Sequence, residues 1–175
     1  ALTTDPEERV ALEVTRGKAL ADIGDTSAAR EALAAALDAN PDHADALDAF
    51  AELSVHEGDW EGAEQAWIRL ARHSTEPERQ AEIYRKLGAL YEKELPNAQR
   101  AELSYREVLK RLPNDVGAME RLVQVHGGLG DTQKALEIQT ELLNRAGTPE
   151  EKRDRTIELS RVQEDFVKDR RKAEA

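Results

Sequence analysis

Residues 77–113 read PERQAEIYRKLGALYEKELPNAQRAELSYREVLKRLP, and this stretch decides the architecture. Apolar side chains recur in it at helical spacing twice over. Ile83, Leu87, Leu90 and Tyr91 follow i, i+4, i+7, i+8; Ala101, Tyr105, Val108 and Leu109 do the same, with Leu112 beyond. Between the two runs stands Leu95-Pro96-Asn97, a turn signal. The stretch opens on Pro77-Glu78. Proline suits a first helical turn, where its missing N–H costs nothing, and an acid there complements the positive end of the helix dipole. The reading is helix, tight turn, helix.

Outward from this stretch the pattern repeats. Pro6, Pro41, Pro77, Pro113 and Pro149 stand 35 or 36 residues apart, each opening a unit. The units are residues 6–40, 41–76, 77–112, 113–148 and, in part, 149–175. Gly24-Asp25, Gly58-Asp59 and Gly130-Asp131 fall mid-unit, where glycine closes one helix and aspartate caps the next. Second-helix stripes recur at Ala29, Ala32, Leu33, Ala36 and Leu37; at Ala63, Ala66, Trp67, Leu70 and Ala71; and at Ala135, Ile138, Leu142 and Leu143. Alternating apolar runs of strand type are absent. A fixed period of this length marks stacked helical repeats, so the expected fold is an all-α solenoid of antiparallel helix pairs.

The units resemble tetratricopeptide repeats. The third carries the family pattern at Tyr84, Leu87, Gly88, Tyr91, Ala101, Tyr105 and Pro113. The first carries it at Gly17, Leu20, Ala29, Leu33, Ala36 and Pro41, and the second at Leu47, Phe50, Ala51, Ala63 and Trp67. The fourth offers Met119, Leu122, Ala135 and Leu142, with Gln139 where an aromatic or leucine is usual. A fifth begins near Arg153, with Leu159 and Ser160 in the Leu-Gly slots. Aligning Gln163–Glu174 with Tyr91–Glu102 places Ala173 at the small-residue slot, implying a turn and the start of another helix. Phe166 and Val167 are expected to pack on something there. An array that stops mid-repeat is expected to be a segment of a longer one, because an uncovered repeat exposes an apolar face.

The chain has 175 residues, 36 acidic against 25 basic, for a formal charge of −11. Such a surface repels phosphate backbones and anionic headgroups, which disfavours nucleic acid and membranes as partners and favours a basic protein or peptide. With no cysteine there is neither disulfide nor thiolate chemistry. Abundant alanine, with more arginine than lysine, fits a GC-rich bacterial genome.

Catalytic arrangements are missing from the pattern. His126-Gly127-Gly128-Leu129-Gly130-Asp131 has the glycines of a phosphate loop but lacks the P-loop lysine and a preceding strand, so it reads as an inter-helix turn. His43, His56, His73 and His126 lack metal-ligand spacing and read as surface or turn residues. Arg170-Arg171-Lys172 reads as a solvated helix surface. The expectation is a chain that is not an enzyme and takes no metal or cofactor.

In the family, the first helices of successive repeats line a concave groove that holds peptides. The resemblance assigns Val14, Lys18 and Ala21 to that groove; then Asp45, Asp48, Glu52 and Val55; Arg85, Ala89 and Glu92; Glu120, Gln124 and Gly127; and Ile157 with Arg161. The charged and polar members Lys18, Asp45, Asp48, Glu52, Arg85, Glu92, Glu120 and Gln124 are the expected partner-binding residues. A family subgroup grips chaperone tail carboxylates with lysine, asparagine and arginine. At those positions this chain has Val14, Lys18, Ala49, Glu82 and Lys86, and Asp48 with Glu52 would repel a carboxylate, so that ligand is not expected. Two readings follow: a scaffold whose groove docks a basic peptide or helix opposite Asp45, Asp48 and Glu52, or an architectural segment that stacks through its ends, with apolar contact from Trp60, Trp67 and Phe166, of which Trp67 sits on the core stripe and Trp60 is the better surface candidate. A third, a peptide-sensing regulator, requires an attached effector.

Overall fold

The computed structural model describes residues 5–173, with side chains for 5–164, 167 and 168. Among these there are nine helices and no strands. The chain divides into two compact units, residues up to Ile83 and residues from Tyr84, with the boundary inside helix α5.

Unit 1 holds α1 (Pro6–Asp22), α2 (Thr26–Ala39), α3 (Ala44–Glu57), α4 (Trp60–His73) and the first part of α5 (Pro77–Lys93). α1 packs on α2, α2 on α3 and α3 on α4. The turns from α1 to α2 and from α3 to α4 pass through Gly24 and Gly58, both left-handed at φ of +84° and +76°. The next residue then caps: Asp25 accepts from the Ala28 N–H at 3.2 Å and Asp59 from the Gly62 N–H at 3.0 Å. Leu33, Leu47, Leu53, Trp67 and Leu70 are buried among alanines. Arg30 ties α2 to the α3–α4 turn by pairing with Glu57 and Asp59 while lying over the Phe50 ring, 5.1 Å from its centre.

Unit 2 holds the rest of α5 with α6 (Ala98–Arg111), α7 (Val116–Gly128), α8 (Thr132–Arg145) and α9 (Pro149–Ala173). α6 packs on α7, α7 on α8 and α8 on α9. Gly88 lets α5 approach α6: a Cβ there would lie 2.6 Å from Tyr105 Cζ. The Tyr105 hydroxyl donates to Glu92 Oε2 at 2.5 Å, and burial first, then Glu92, pushes the phenol pKa up. The α7–α8 turn passes through left-handed Gly130, and Asp131 caps α8 through the Lys134 N–H. The glycine-rich segment at 127–130 is therefore the end of α7 and a turn, as its sequence implied.

Four expectations change. Pro6, Pro77 and Pro149 do open helices, but Pro41 and Pro113 precede them. Each is the second residue of a β-turn, closed by His43 N–H to Asn40 O at 3.2 Å and by Asp115 N–H to Leu112 O at 3.0 Å. Proline's fixed φ suits that position as well as a first helical turn. His43 Nδ1 and Asp115 then cap α3 and α7. His126 is 1% exposed rather than on the surface, because it lies on the face of α7 that carries Met119, Leu122 and Val125. Val14 is buried with Val10, Ala36 and Ala46 rather than lining a groove. Finally, α9 continues where a fifth turn was expected; residues 165–169, DFVKD, contain no glycine, proline or asparagine to break it. The side chains of Phe166, Arg170, Arg171, Lys172 and Ala173 lie outside those described.

Candidate functional site

In unit 1, Asp45, Asp48 and Glu52 follow i, i+3, i+7 along α3. Asp45 and Glu52 are exposed, as is Lys18 on α1; Asp48 is half-buried and ion-paired with Arg79 of α5, which also holds Glu82 at 2.9 Å. The Asp48 carboxylate raises the Arg79 guanidinium pKa above its ordinary value. Part of the acidity that the sequence offered to a partner is therefore spent on linking α3 to α5.

The same use of charge recurs in unit 2. Arg85 of α5 pairs with Asp115 at the start of α7, and Glu120 of α7 with Arg155 of α9. Burial pushes the Asp115 carboxyl up, but Arg85 and the Ala118 N–H, donating at 2.7 Å, outweigh it and hold the pKa below its usual value. Glu92 takes the Tyr105 hydroxyl and lies 3.9 Å from Arg121. Gln124 is exposed and accepts from Arg121 at 3.4 Å.

Two of the expected residues, Glu120 and Gln124, line an open cleft of about 440 Å³. Val123 adds to the α7 wall, Glu151, Asp154, Arg155 and Glu158 form the α9 wall, and Gln139 of α8 is its buried member, 3% exposed. Glu151 accepts from the Gly147 and Thr148 N–H groups at 2.9 and 3.2 Å, an N-terminal cap for α9; the first of these bonds does most to lower its carboxyl pKa. The Gln139 Nε2 has no hydrogen-bond partner among the described residues. Leaving such a donor buried and unpaired costs about 1–3 kcal/mol. In the sequence Gln139 is absent from the expected partner-binding residues and stands out only as a departure from the repeat pattern, which is the one local signal that marks it. Among the described residues, no three His, Asp or Glu side chains are placed to hold a metal ion, and no helix is long and apolar enough to cross a membrane.

Comparison with known proteins agrees with this architecture. Residues 14–79 match the tetratricopeptide repeat family model. That stretch is thus similar to tetratricopeptide repeats, and the fold is that of a helical-repeat solenoid. No curated protein matches the whole sequence significantly. Among solved structures, the tetratricopeptide fold here is similar to MamA, with a TM-score of 0.66 at 18% identity over 96% of this chain and 93% of that one. It is also similar to the first tetratricopeptide domain of Spaghetti (RPAP3) bound to an HSP90 peptide, with a TM-score of 0.58 at 18% identity, covering 74% and 98%. YrrB, described as having an unusual peptide-binding site, gives 0.59 at 16% identity, covering 73% and 64%. Identities this low speak to the fold alone.

Proposed function

We propose that this chain is a non-catalytic scaffold that docks a segment of a partner protein, with the α7–α9 face of unit 2 as a docking place. The observation that carries the reading is the cleft beside Glu120 and Gln124, where polar side chains converge around a buried amide on adjoining helices. Similarly folded domains support it: that of RPAP3 is bound to a peptide, and YrrB is described as having a peptide-binding site. A basic segment fits best. Carboxylates outnumber the single arginine in the cleft, Asp45 and Glu52 are exposed on α3, and the formal charge is −11. Charge of this kind mainly sets encounter rate and selection against wrong partners.

The test is affinity capture from cell extract with the wild-type chain and with Gln124→Trp, which fills the cleft from an exposed position, after circular dichroism shows equal helicity. A protein held by the wild type and lost from the variant supports the reading; equal retention by both removes it. A second reading, assembly through α9, is favoured by Ile157 and Val167, 47% and 46% exposed. Self-association that persists in high salt would support that instead.

A further inference from the structure

One slot recurs in the second helix of each full repeat. Eight residues after the capping Asp25, Asp59, Asn97 and Asp131 stand Leu33, Trp67, Tyr105 and Gln139, all buried. Leu33 lies under Gly17, and the Tyr105 ring lies under Gly88 with its hydroxyl satisfied by Glu92. The fourth repeat instead places a carboxamide there, with its nitrogen unpaired among the described residues. Buried donors are nearly always paired, and this residue forms part of the cleft wall.

The carboxylates of the cleft are not equally engaged. Arg155 holds Glu120, and backbone N–H groups hold Glu151. Among the described residues Asp154 and Glu158, one turn apart on α9, pair with exposed cations: Arg153 at 3.8 Å from Asp154 and Arg161 at 3.0 Å from Glu158. Ion pairs at such exposed positions are weak and readily exchanged.

We propose that the cleft takes an extended peptide segment with a lysine or arginine, its cationic head at Asp154 and Glu158 and a main-chain carbonyl accepting from Gln139 Nε2, for which the enclosed Gln139 amide turns toward the cleft. This rests on the docking reading above and specifies its chemistry. A peptide carries both groups: a cation that can replace the exposed Arg153 and Arg161 at the α9 acids, and a carbonyl for the buried amide. A bare cation would leave Gln139 unpaired, and an acidic segment would meet Asp154 and Glu158 with like charge.

The experiment titrates the isotope-labelled chain with a capped alternating lysine–alanine octapeptide, and with its serine–alanine and glutamate–alanine counterparts. NMR reads the Gln139 side-chain NH2 and the α9 amides. The expected result is a saturable shift at both with the lysine peptide. Binding should weaken roughly threefold to tenfold in Asp154→Asn, Glu158→Gln, as the loss of two exposed charge contacts implies. It should hold in Asp38→Asn, which removes an exposed acid of unit 1. Gln139→Leu should weaken binding while raising the melting temperature, since it removes the unpaired donor; that pairing separates a ligand contact from a structural role. An equal response to the serine or glutamate peptide overturns the proposal but leaves docking at the cleft intact. So does a lysine response that Asp38→Asn weakens as much as the α9 double variant, which would be diffuse attraction. No shift at Gln139 with any peptide overturns it too, and the Gln124→Trp capture then decides the docking reading separately.

Discussion

At the scale of single residues, His126 shows what burial does to a polar side chain in a helical repeat. Its Nδ1 has no hydrogen-bond partner among the described residues, and its Nε2 lies 3.8 Å from Glu102 Oε1. The charged groups acting on it are Glu102 and Arg106 of α6, and Asp131 and Lys134 at the start of α8. Burial is the largest influence and lowers the imidazole pKa; the two carboxylates raise it, and the two cations lower it further. Glu102 is already engaged by Arg106 at 2.8 Å and Asp131 by Lys134 at 2.6 Å, which limits their help to an imidazolium. The unfolded chain therefore takes up this proton at a higher pH than the native one. The corresponding stability is complete above the unfolded value, about 6.5, and is lost as pH falls below it. The urea midpoint of the wild type is expected to drop between pH 7.5 and pH 5.5 more than that of His126→Gln. Parallel curves for the two proteins would contradict this. The sequence showed this histidine beside a glycine-rich turn and suggested exposure; only the direction in which α7 presents it reveals the burial.

At the scale of elements, the tight approach of α5 to α6 rests on Gly88. The Tyr105 ring above it is held by its hydroxyl bond to Glu92 and cannot swing away without breaking that bond. Gly88→Ala is expected to destabilise unit 2 by about 1–3 kcal/mol, the usual range for overpacking, seen as a lower urea midpoint at unchanged helical content. Gly88 and Tyr105 were legible as matching slots of a repeat, and the structure supplies the reason they match. The helix starts were less legible. Pro41 and Pro113 sit at the same period as Pro6, Pro77 and Pro149, yet occupy β-turns, and His43 and Asp115 cap the helices that follow. The repeat phase survives that difference. The cap atoms do not show in a proline count.

At the scale of the molecule, the formal charge of −11 opposes compaction. Many of the ion pairs are exposed and contribute little individually, so screening should relieve more repulsion than it removes attraction. The melting temperature is expected to rise between 10 mM and 200 mM NaCl, and a fall would show that the ion pairs dominate. The candidate site was legible at this scale only as a row of groove positions. Asp48, Arg85 and Glu120 are engaged by Arg79, Asp115 and Arg155. Those partners lie 30 or more residues away, as helix packing requires.

The sequence by itself determined the helix–turn–helix repeat, its period, the mid-unit turns and the apolar faces. These follow from local spacing, because a 3.6-residue periodicity and a turn residue act within a few positions of one another. The tertiary structure alone decided which of the charges expected to meet a partner are already paired, that Val14 and His126 face inward, and that Gln139 lines a cleft with its amide nitrogen unpaired among the described residues. Each of those outcomes depends on side chains from separate helices meeting at hydrogen-bonding distance. Spacing along one helix predicts a face; it does not name the residue on the next helix that the face will meet.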